Sequence, residues 1–375
     1  MKICGIIAEY NPLHNGHLYH INKVKKISDA VIIIMSGHLM QRGDLAIYDK
    51  WSRAKAALMC GADIVIELPT TFSCSCAERF SYGAVKILND LNCVNIISFG
   101  SESGNINKLI KVANLCKEID SKEQMKYYLK QGYSYPKARQ LAIGSKASIL
   151  NFPNNTLGVE YIKACLKIKS NISFHTIKRL GAQHNSDIPD KTASASYLRK
   201  NPQMLCDYVP NEILSLYKEP SQFPEKLLFY KFRNRSLSDF YNLPDVTEGL
   251  ENRLFKASKN SKNLDEFFRF VKTKRYTYSR IRRIAFYSLM DIYKQDLPKS
   301  PEYARVLGFN QTGKKILSNI KKSSKIMVTS NFKAIEKQFP YSANLDSKAT
   351  DLFTLCQKNP KPCGIDFRTK PIIIN

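Results

Sequence analysis

Short apolar runs alternate with stretches of helical spacing through the first hundred residues. Ile3-Cys4-Gly5-Ile6-Ile7, Ala30 to Met35, Asp63 to Leu68 and Val94 to Phe99 each predict a buried strand. Between them, Leu18 to about Ile27, Asp49 to Cys60 and Glu78 to Asp90 predict helices, with Asp49 an N-cap by residue type. This alternation predicts an α/β fold built on a parallel, doubly wound sheet. Such sheets bind ligands beyond the carboxyl ends of their strands.

The pattern then changes twice. Residues 105 to 150 carry polar, basic helical spacing and predict an insert packed against the sheet. Asn151-Phe152-Pro153-Asn154-Asn155 breaks that pattern, and Thr156 to Lys169 resumes as a helix. A strand at Ile172 to Ile177 ends in Lys178-Arg179, a polar loop expected to be mobile spans Gly181 to Thr192, and Ala193 to Lys200 opens a short helix. Beyond Asn201-Pro202 the chain is rich in Leu, Phe and Tyr at helical spacing, with no further strand–helix alternation expected. The predicted division is a catalytic domain over 1–205, its helical insert at 105–150, and a mainly α-helical basic domain over 206–375.

Composition narrows the class. No apolar run approaches the roughly 18 to 20 residues of a membrane span, and the N-terminus enters a strand at Lys2 without a signal-peptide pattern. A cytoplasmic protein without a membrane partner is expected. The ten cysteines are scattered; Cys74-Ser75-Cys76 lacks a second pair or histidines at zinc spacing, so no metal site is predicted.

The net charge of +26 points outward, to a partner. Residues 1–200 hold 27 Lys+Arg against 15 Asp+Glu, and residues 201–375 hold 31 against 17. All of the second excess lies within residues 251–350, where 22 basic residues face 8 acidic ones. Such a surplus favours a polyanion through counterion release, although a lysine-rich solvated surface has the same composition. Inside it, Thr273-Lys274-Arg275-Tyr276-Thr277-Tyr278-Ser279-Arg280-Ile281-Arg282-Arg283 interleaves basic residues with tyrosines. That run reads equally as a nucleic-acid path and as an amphipathic helix with a solvated basic face.

Four strand ends run into polar, glycine-bearing or proline-bearing loops: Glu9 to His17, Ser36 to Asp44, Pro69 onward, and Gly100-Ser101-Glu102-Ser103-Gly104. In the first, His14-x-Gly16-His17 sits between a strand and a helix. Two imidazoles and a glycine in a first helical turn suit a phosphate, which is drawn to free N–H groups and the helix dipole. Ser194-Ala195-Ser196-Tyr197-Leu198-Arg199, a Ser-rich helix start closed by Arg199, reads as a second anion site or as an ordinary Ser-rich N-cap, and gains weight as an anion site only beside the histidine motif.

Together these segments resemble the HxGH nucleotidylyltransferase superfamily, with Ala193 and Ala195 departing from the second signature's ISSTxxR form. The likeness sharpens with GIIAEYNPLHNGHLYH (Gly5 to His20), MSGHLMQRGDLA (Met35 to Ala46), DKWSR (Asp49 to Arg53), GADIVIELP (Gly61 to Pro69), FGSE (Phe99 to Glu102), PNNTLGVEY (Pro153 to Tyr161), Thr273 to Arg283 and RVLGFN (Arg305 to Asn310). Over nearly the whole chain it looks like the bacterial tRNA(Met) cytidine acetate ligase family, with His38 where that family usually has Asn.

The resemblance implies a Rossmann-like nucleotidylyltransferase domain and an ATP-dependent ligase. Acetate would be activated as acetyl-adenylate and its acetyl group passed to N4 of the wobble cytidine of elongator tRNA(Met). It implies a nucleotide site at Ile7-Ala8-Glu9-Tyr10-Asn11-Pro12-Leu13-His14-Asn15-Gly16-His17-Leu18-Tyr19-His20, with Gly100 beneath ATP, Asn154 beside it and Arg179 on ribose or phosphate. The resemblance implies that His14, His17, Arg179, Ser196 and Arg199 carry the catalysis, and ATP is expected to enter as its Mg²⁺ complex. Gln41, Arg42, Asp49 and Lys50 line the site, or else DKWSR is a capped helix start with Trp51 in the core. Arg275, Tyr276, Tyr278, Arg280, Arg282 and Arg283 are the implied RNA contacts. Two other readings of the same residues are a small-molecule nucleotidylyltransferase and a non-catalytic, nucleotide-sensing RNA-binding protein.

Overall fold

The computed structural model describes residues 1–120, 122–179, 193–247 and 249–375. Its first third follows the predicted alternation: β1 (Ile3–Ala8), α1 (Asn15–Val24), β2 (Ala30–Ser36), α2 (Lys50–Met59), β3 (Ile64–Leu68), α3 (Thr70–Ser73), α4 (Ala77–Asp90) and β4 (Ile96–Ser101). Asp49 does cap α2, its carboxylate accepting the Ser52 N–H at 2.8 Å. The insert comprises α5 (Ile106–Ile119), α6 (Glu123–Lys130), α7 (Tyr135–Ile143) and a 3₁₀ turn at Gly144–Asn151. The expected break at 151–155 is shorter than predicted: α8 (Pro153–Ile168) starts at its proline, a residue suited to a first helical turn. Next come β5 (Ser173–Lys178) and α9 (Ala195–Lys200). The loop expected over Gly181 to Thr192 lies outside the described residues.

Helices α10 (Leu205–Tyr208), α11 (Asn211–Leu214), α12 (Glu225–Arg233), α13 (Leu237–Asn242), α14 (Leu250–Asn260), α15 (Leu264–Val271) and α16 (Tyr278–Met290) follow. The chain then returns to the sheet through β6 (Tyr303–Phe309), α17 (Gln311–Ser323) and β7 (Met327–Thr329), before α18 (Phe332–Gln338), α19 (Pro340–Leu355), α20 (Ile365–Arg368) and β8 (Ile372–Ile373).

The strand order is β5-β4-β1-β2-β3-β6-β7, with β8 on β6. Strands β1 to β5 pair in parallel, whereas β6 runs antiparallel to β3. The sheet therefore crosses the boundary expected near residue 205. A further strand–helix–strand unit, β6-α17-β7, exists where none was expected, because the polar positions Arg305 and Gly308 hide the strand in YARVLGF.

Alternate residues of each strand feed opposite cores. Ile3, Ile7, Ile32, Ile34, Ile64 and Ile66 face one side, and Cys4, Ile6, Val31, Ile33, Met35 and Val65 the other. Burial on both faces is why these strands read as unbroken apolar runs. A third core joins α12 to α16 and α19 to Leu39, Met40, Leu45 and Ala46 of the β2 loop. The helical half is thus seated on a loop of the nucleotide half.

Candidate active site

Strand β4 lies on the opposite side of β1 from β2, so the crevice opens at the carboxyl ends of β1 and β4, where the strand order reverses. A cavity of about 860 Å³ occupies this place. It gathers the β1 loop, Gly100 at the end of β4, Asn154 at the start of α8, Arg179 after β5, and Ser196 and Arg199 of α9. Residues spread over nearly two hundred positions share one wall. From the contiguous run Ile7 to His20, the residues Pro12, Leu13, Asn15 and Leu18 do not line the cavity; Leu13 is fully buried in the core below.

His14 and His17 form a reciprocal cap. Nδ1 of His14 accepts the Gly16 N–H at 3.1 Å, and Nδ1 of His17 accepts the His14 N–H at 3.3 Å. A nitrogen that accepts a hydrogen bond carries no proton, so each neutral ring is protonated on Nε2. The rings stack with centroids 3.9 Å apart, and the edge of Tyr10 packs on His17. Burial, then the Arg179 charge, lowers His14 to about 3. Burial, then His14 and Arg179, holds His17 well below the usual histidine range. Both imidazoles are neutral N–H donors at physiological pH, and neither is an acid or a base by default.

Arg199 ties the second signature to the first. Its Nη1 donates to the Asn11 carbonyl at 3.0 Å and its Nη2 to Ser196 Oγ at 3.0 Å. Arg53 does the same on the other flank, donating from Nη1 to the carbonyls of Glu9 at 2.7 Å and Ser36 at 3.0 Å, and from Nη2 to that of Gly37. Gln41 closes this side, its N–H on Glu9 Oε1 at 2.7 Å. Opposite them, Glu102 caps α8: Oε1 accepts the side-chain amide of Asn154 at 2.7 Å and Oε2 the Asn155 N–H at 2.9 Å. Fixed loops on both walls suit a reaction that needs placed donors.

Residues 1–365 match the model of the HIGH Nucleotidyl Transferase family. The tRNA(Met) cytidine acetate ligase of Clostridium tetani is 40% identical, with both chains covered in full, and that of Thermoanaerobacter sp. strain X514 is 42% identical over 98% of each. Among solved structures, Thermotoga maritima TmcAL bound with alpha-thio ATP superposes with a TM-score of 0.89 at 33% identity, covering 100% of this chain and 99% of that one. The chain belongs to the tRNA(Met) cytidine acetate ligase family.

In this member of the family, the basic stretch implied to meet RNA divides in two. Tyr276 and Arg283 are buried, and the Arg283 guanidinium is paired with Asp245 at 2.8 Å. Nε of Arg280 donates to the Asp245 carbonyl at 2.7 Å. Tyr276 and Arg283 present no exposed face for RNA, contrary to the expectation for both. Tyr278 is exposed, and Arg282 keeps nearly half its side chain in solvent beside Asp44.

The second lining set divides as well. Gln41 and Arg42 line the cavity, whereas Asp49 and Lys50 do not. Asp49 caps α2, as the capped-helix reading of DKWSR has it, but Trp51 is only half-buried rather than in the core, while Lys50 is fully buried. His38 is a core connector: its Nε2 accepts the Lys50 N–H at 3.1 Å, its Nδ1 meets Thr350 Oγ1 at 3.1 Å, and its ring stacks on Phe353. Two residues that sequence reasoning left unassigned, Arg53 and Glu102, hold the site by gripping backbone. Their only signal was to stand inside matched segments.

Proposed function

We propose that this chain is an ATP-dependent RNA-modifying ligase. In the first step a carboxylate oxygen of acetate attacks the α-phosphorus of ATP, the bond to the β-phosphate oxygen breaks, and pyrophosphate leaves. Acetate is ionised at neutral pH and needs no general base, so this step asks for positioning and charge neutralisation. The Nε2–H groups of His14 and His17 serve as donors to the α-phosphoryl oxygens, while Arg179, Ser196 and Arg199 neutralise the departing pyrophosphate. In the second step N4 of the wobble cytidine of elongator tRNA(Met) attacks the acyl carbon, the acyl–oxygen bond to AMP breaks, and N4 loses a proton.

Among the described residues, no three His, Cys, Asp or Glu side chains gather as a metal-holding group. Glu9 and Glu102 are the acidic residues at the cavity, and both are engaged by backbone N–H groups. Magnesium enters as the ATP complex, held by the nucleotide phosphates. No helix among the described residues is long and apolar enough to cross a membrane.

The observation that carries the reading is the mutual cap that leaves two neutral Nε2–H donors in a cavity closed by Arg199. Its test is incubation with labelled acetate, ATP and unmodified tRNA, followed by digestion and detection of acetylated cytidine. Label in a small phosphate ester instead would favour a small-molecule nucleotidylyltransferase, and ATP binding without turnover would favour a nucleotide sensor. His17→Ala should abolish acetate-dependent ATP–pyrophosphate exchange while tRNA binding persists; retained exchange removes the donor role.

A further inference from the structure

The helical insert carries a second cavity, of about 320 Å³, between α6 and α7, lined by Glu123, Gln124, Tyr127, Tyr128, Leu141 and Ala142. None of these residues belongs to the ATP cavity. The helix repeat explains the lining, since Glu123 and Tyr127, and Gln124 and Tyr128, are i,i+4 neighbours on one face of α6. Lys122, Lys126 and Lys130 follow the same spacing along the adjacent stripe, and all three are exposed.

A lone exposed tyrosine asks for no explanation. Here the rings form a cluster: Tyr127 and Tyr128 lie edge to face with centroids 5.3 Å apart, and Tyr128 and Tyr133 at 6.2 Å. Tyr127 is 59% exposed at the pocket. The chain's second half meets the same cluster, with Lys274 Nζ 3.4 Å from the Tyr133 ring centre and Arg275 Nη2 donating to the Leu129 carbonyl at 3.3 Å. The exposed basic stretch around Tyr278 and the insert are therefore one surface. Residues 105–150 hold nine Lys+Arg against three Asp+Glu, of which Arg139 is buried against Asp120 and Glu160 and Lys108 lines the first cavity.

We propose that this pocket takes one unstacked nucleobase of an RNA, with the lysine stripe of α6 on the flanking phosphates. The proposal rests on the RNA substrate of the function proposed above and adds a contact remote from the reacting cytidine. Aromatic faces interleaved with lysines suit a single-stranded segment, whose bases stack while its phosphates attract cations.

The test uses the full chain and an unmodified elongator tRNA(Met) transcript. Y127A should bind the transcript about tenfold more weakly, the scale of one lost base–aromatic stack, and Y127W should bind near the wild-type level. Trp51 is the chain's single tryptophan, so Y127W adds one indole at the pocket. Its added emission should be quenched as the transcript binds. Acetate-dependent ATP–pyrophosphate exchange by Y127A reports that the catalytic fold is intact. Wild-type affinity in Y127A, or Y127W emission unmoved at saturating transcript, overturns the pocket alone. Failure of the wild-type chain to bind the transcript overturns the proposed function instead.

Discussion

A methyl group added at Gly16 would stand 2.9 Å from Cε1 and 3.1 Å from Nδ1 of His14, too close for the imidazole to stay in place. Gly16 also supplies the N–H that fixes the His14 tautomer, so the pair is matched in both shape and hydrogen bonding. Gly16→Ala should therefore displace one phosphate donor without unfolding the chain, since alanine is favoured over glycine inside a helix by about 0.5–1 kcal/mol. The expected outcome is a fall in kcat for acetate-dependent ATP–pyrophosphate exchange of roughly 10²-fold, the scale of one lost oxyanion donor. Exchange at the wild-type rate with an unchanged melting temperature would dissociate Gly16 from His14.

Burial lowers all five histidines among the described residues: His14 to about 3, His20 to about 4, His17 and His38 well below the usual range, and His175 below its ordinary value. Each is depressed below its unfolded value near 6.5, so the unfolded chain binds more protons between the two pKa values. Their contribution is complete above pH 6.5 and is lost as pH falls towards the folded values, each histidine by up to about 1.4 kcal/mol per pH unit. Asp346 works the other way: burial, then Glu67, raises it to about 6, so it loses stability as pH rises from near 4 to 6. Asp44 is raised by burial as well, but two raised carboxyls stand against five lowered imidazoles and the lowered carboxyls Asp120, Asp239, Asp291 and Asp366, which leaves a net loss on acidification. Melting temperatures at pH 7.5 and pH 5.5 should show a marked drop in the wild-type chain and a smaller one in His38→Asn; equal drops would remove His38 from the set.

How much of this was legible in the sequence depends on where each residue's partner lies. Strands β1 to β4 were legible because both faces are buried and their patterns are unbroken. The reciprocal cap at the start of α1 was legible because His14, Gly16 and His17 make their contacts within three residues of one another. Strand β6 was not, because Arg305 stands in its middle and is neutralised by Glu67 and Asp366, 238 and 61 residues away. Arg283 was misread for the same reason, its partner Asp245 lying 38 residues earlier in the chain. Charge at a position reports solvent only when no distant partner exists, and local pattern holds no record of one.

Arg282 and Arg283 are neighbours with opposite expectations. Arg283→Ala leaves Asp245 without its buried partner and should destabilise the fold by about 3–5 kcal/mol, measured by chemical denaturation. The ion pair of Arg282 with Asp44 is half-exposed on the Arg282 side, which limits its worth. Arg282→Ala should leave stability within about 0.5 kcal/mol, weaken tRNA binding, and reduce the slope of log affinity against log salt by about 1. A large stability loss in Arg282→Ala with an unchanged salt slope would reverse the assignment.

The most demanding electrostatics lie beneath the second loop. Lys50 Nζ stands 2.7 Å from Glu67 Oε1 and 2.7 Å from Asp366 Oδ1, and Arg305 Nη1 meets Glu67 Oε2 at 3.1 Å and the same Asp366 oxygen. All four side chains are buried, two cations against two carboxylates. The set fastens α2 and β3 of the nucleotide half to β6 and α20 near the chain's end. It also supports the site, because Glu67 packs under Gly37, whose carbonyl Arg53 holds. Lys50→Met removes one cation and strands a buried negative charge, which should cost about 3–5 kcal/mol. Adding Glu67→Gln restores the balance, with Arg305 still paired to Asp366, and should recover part of that loss even though a second native contact has gone. Chemical denaturation of the single and double variants decides the matter: a double variant less stable than Lys50→Met would show that Lys50 acts through packing rather than through charge.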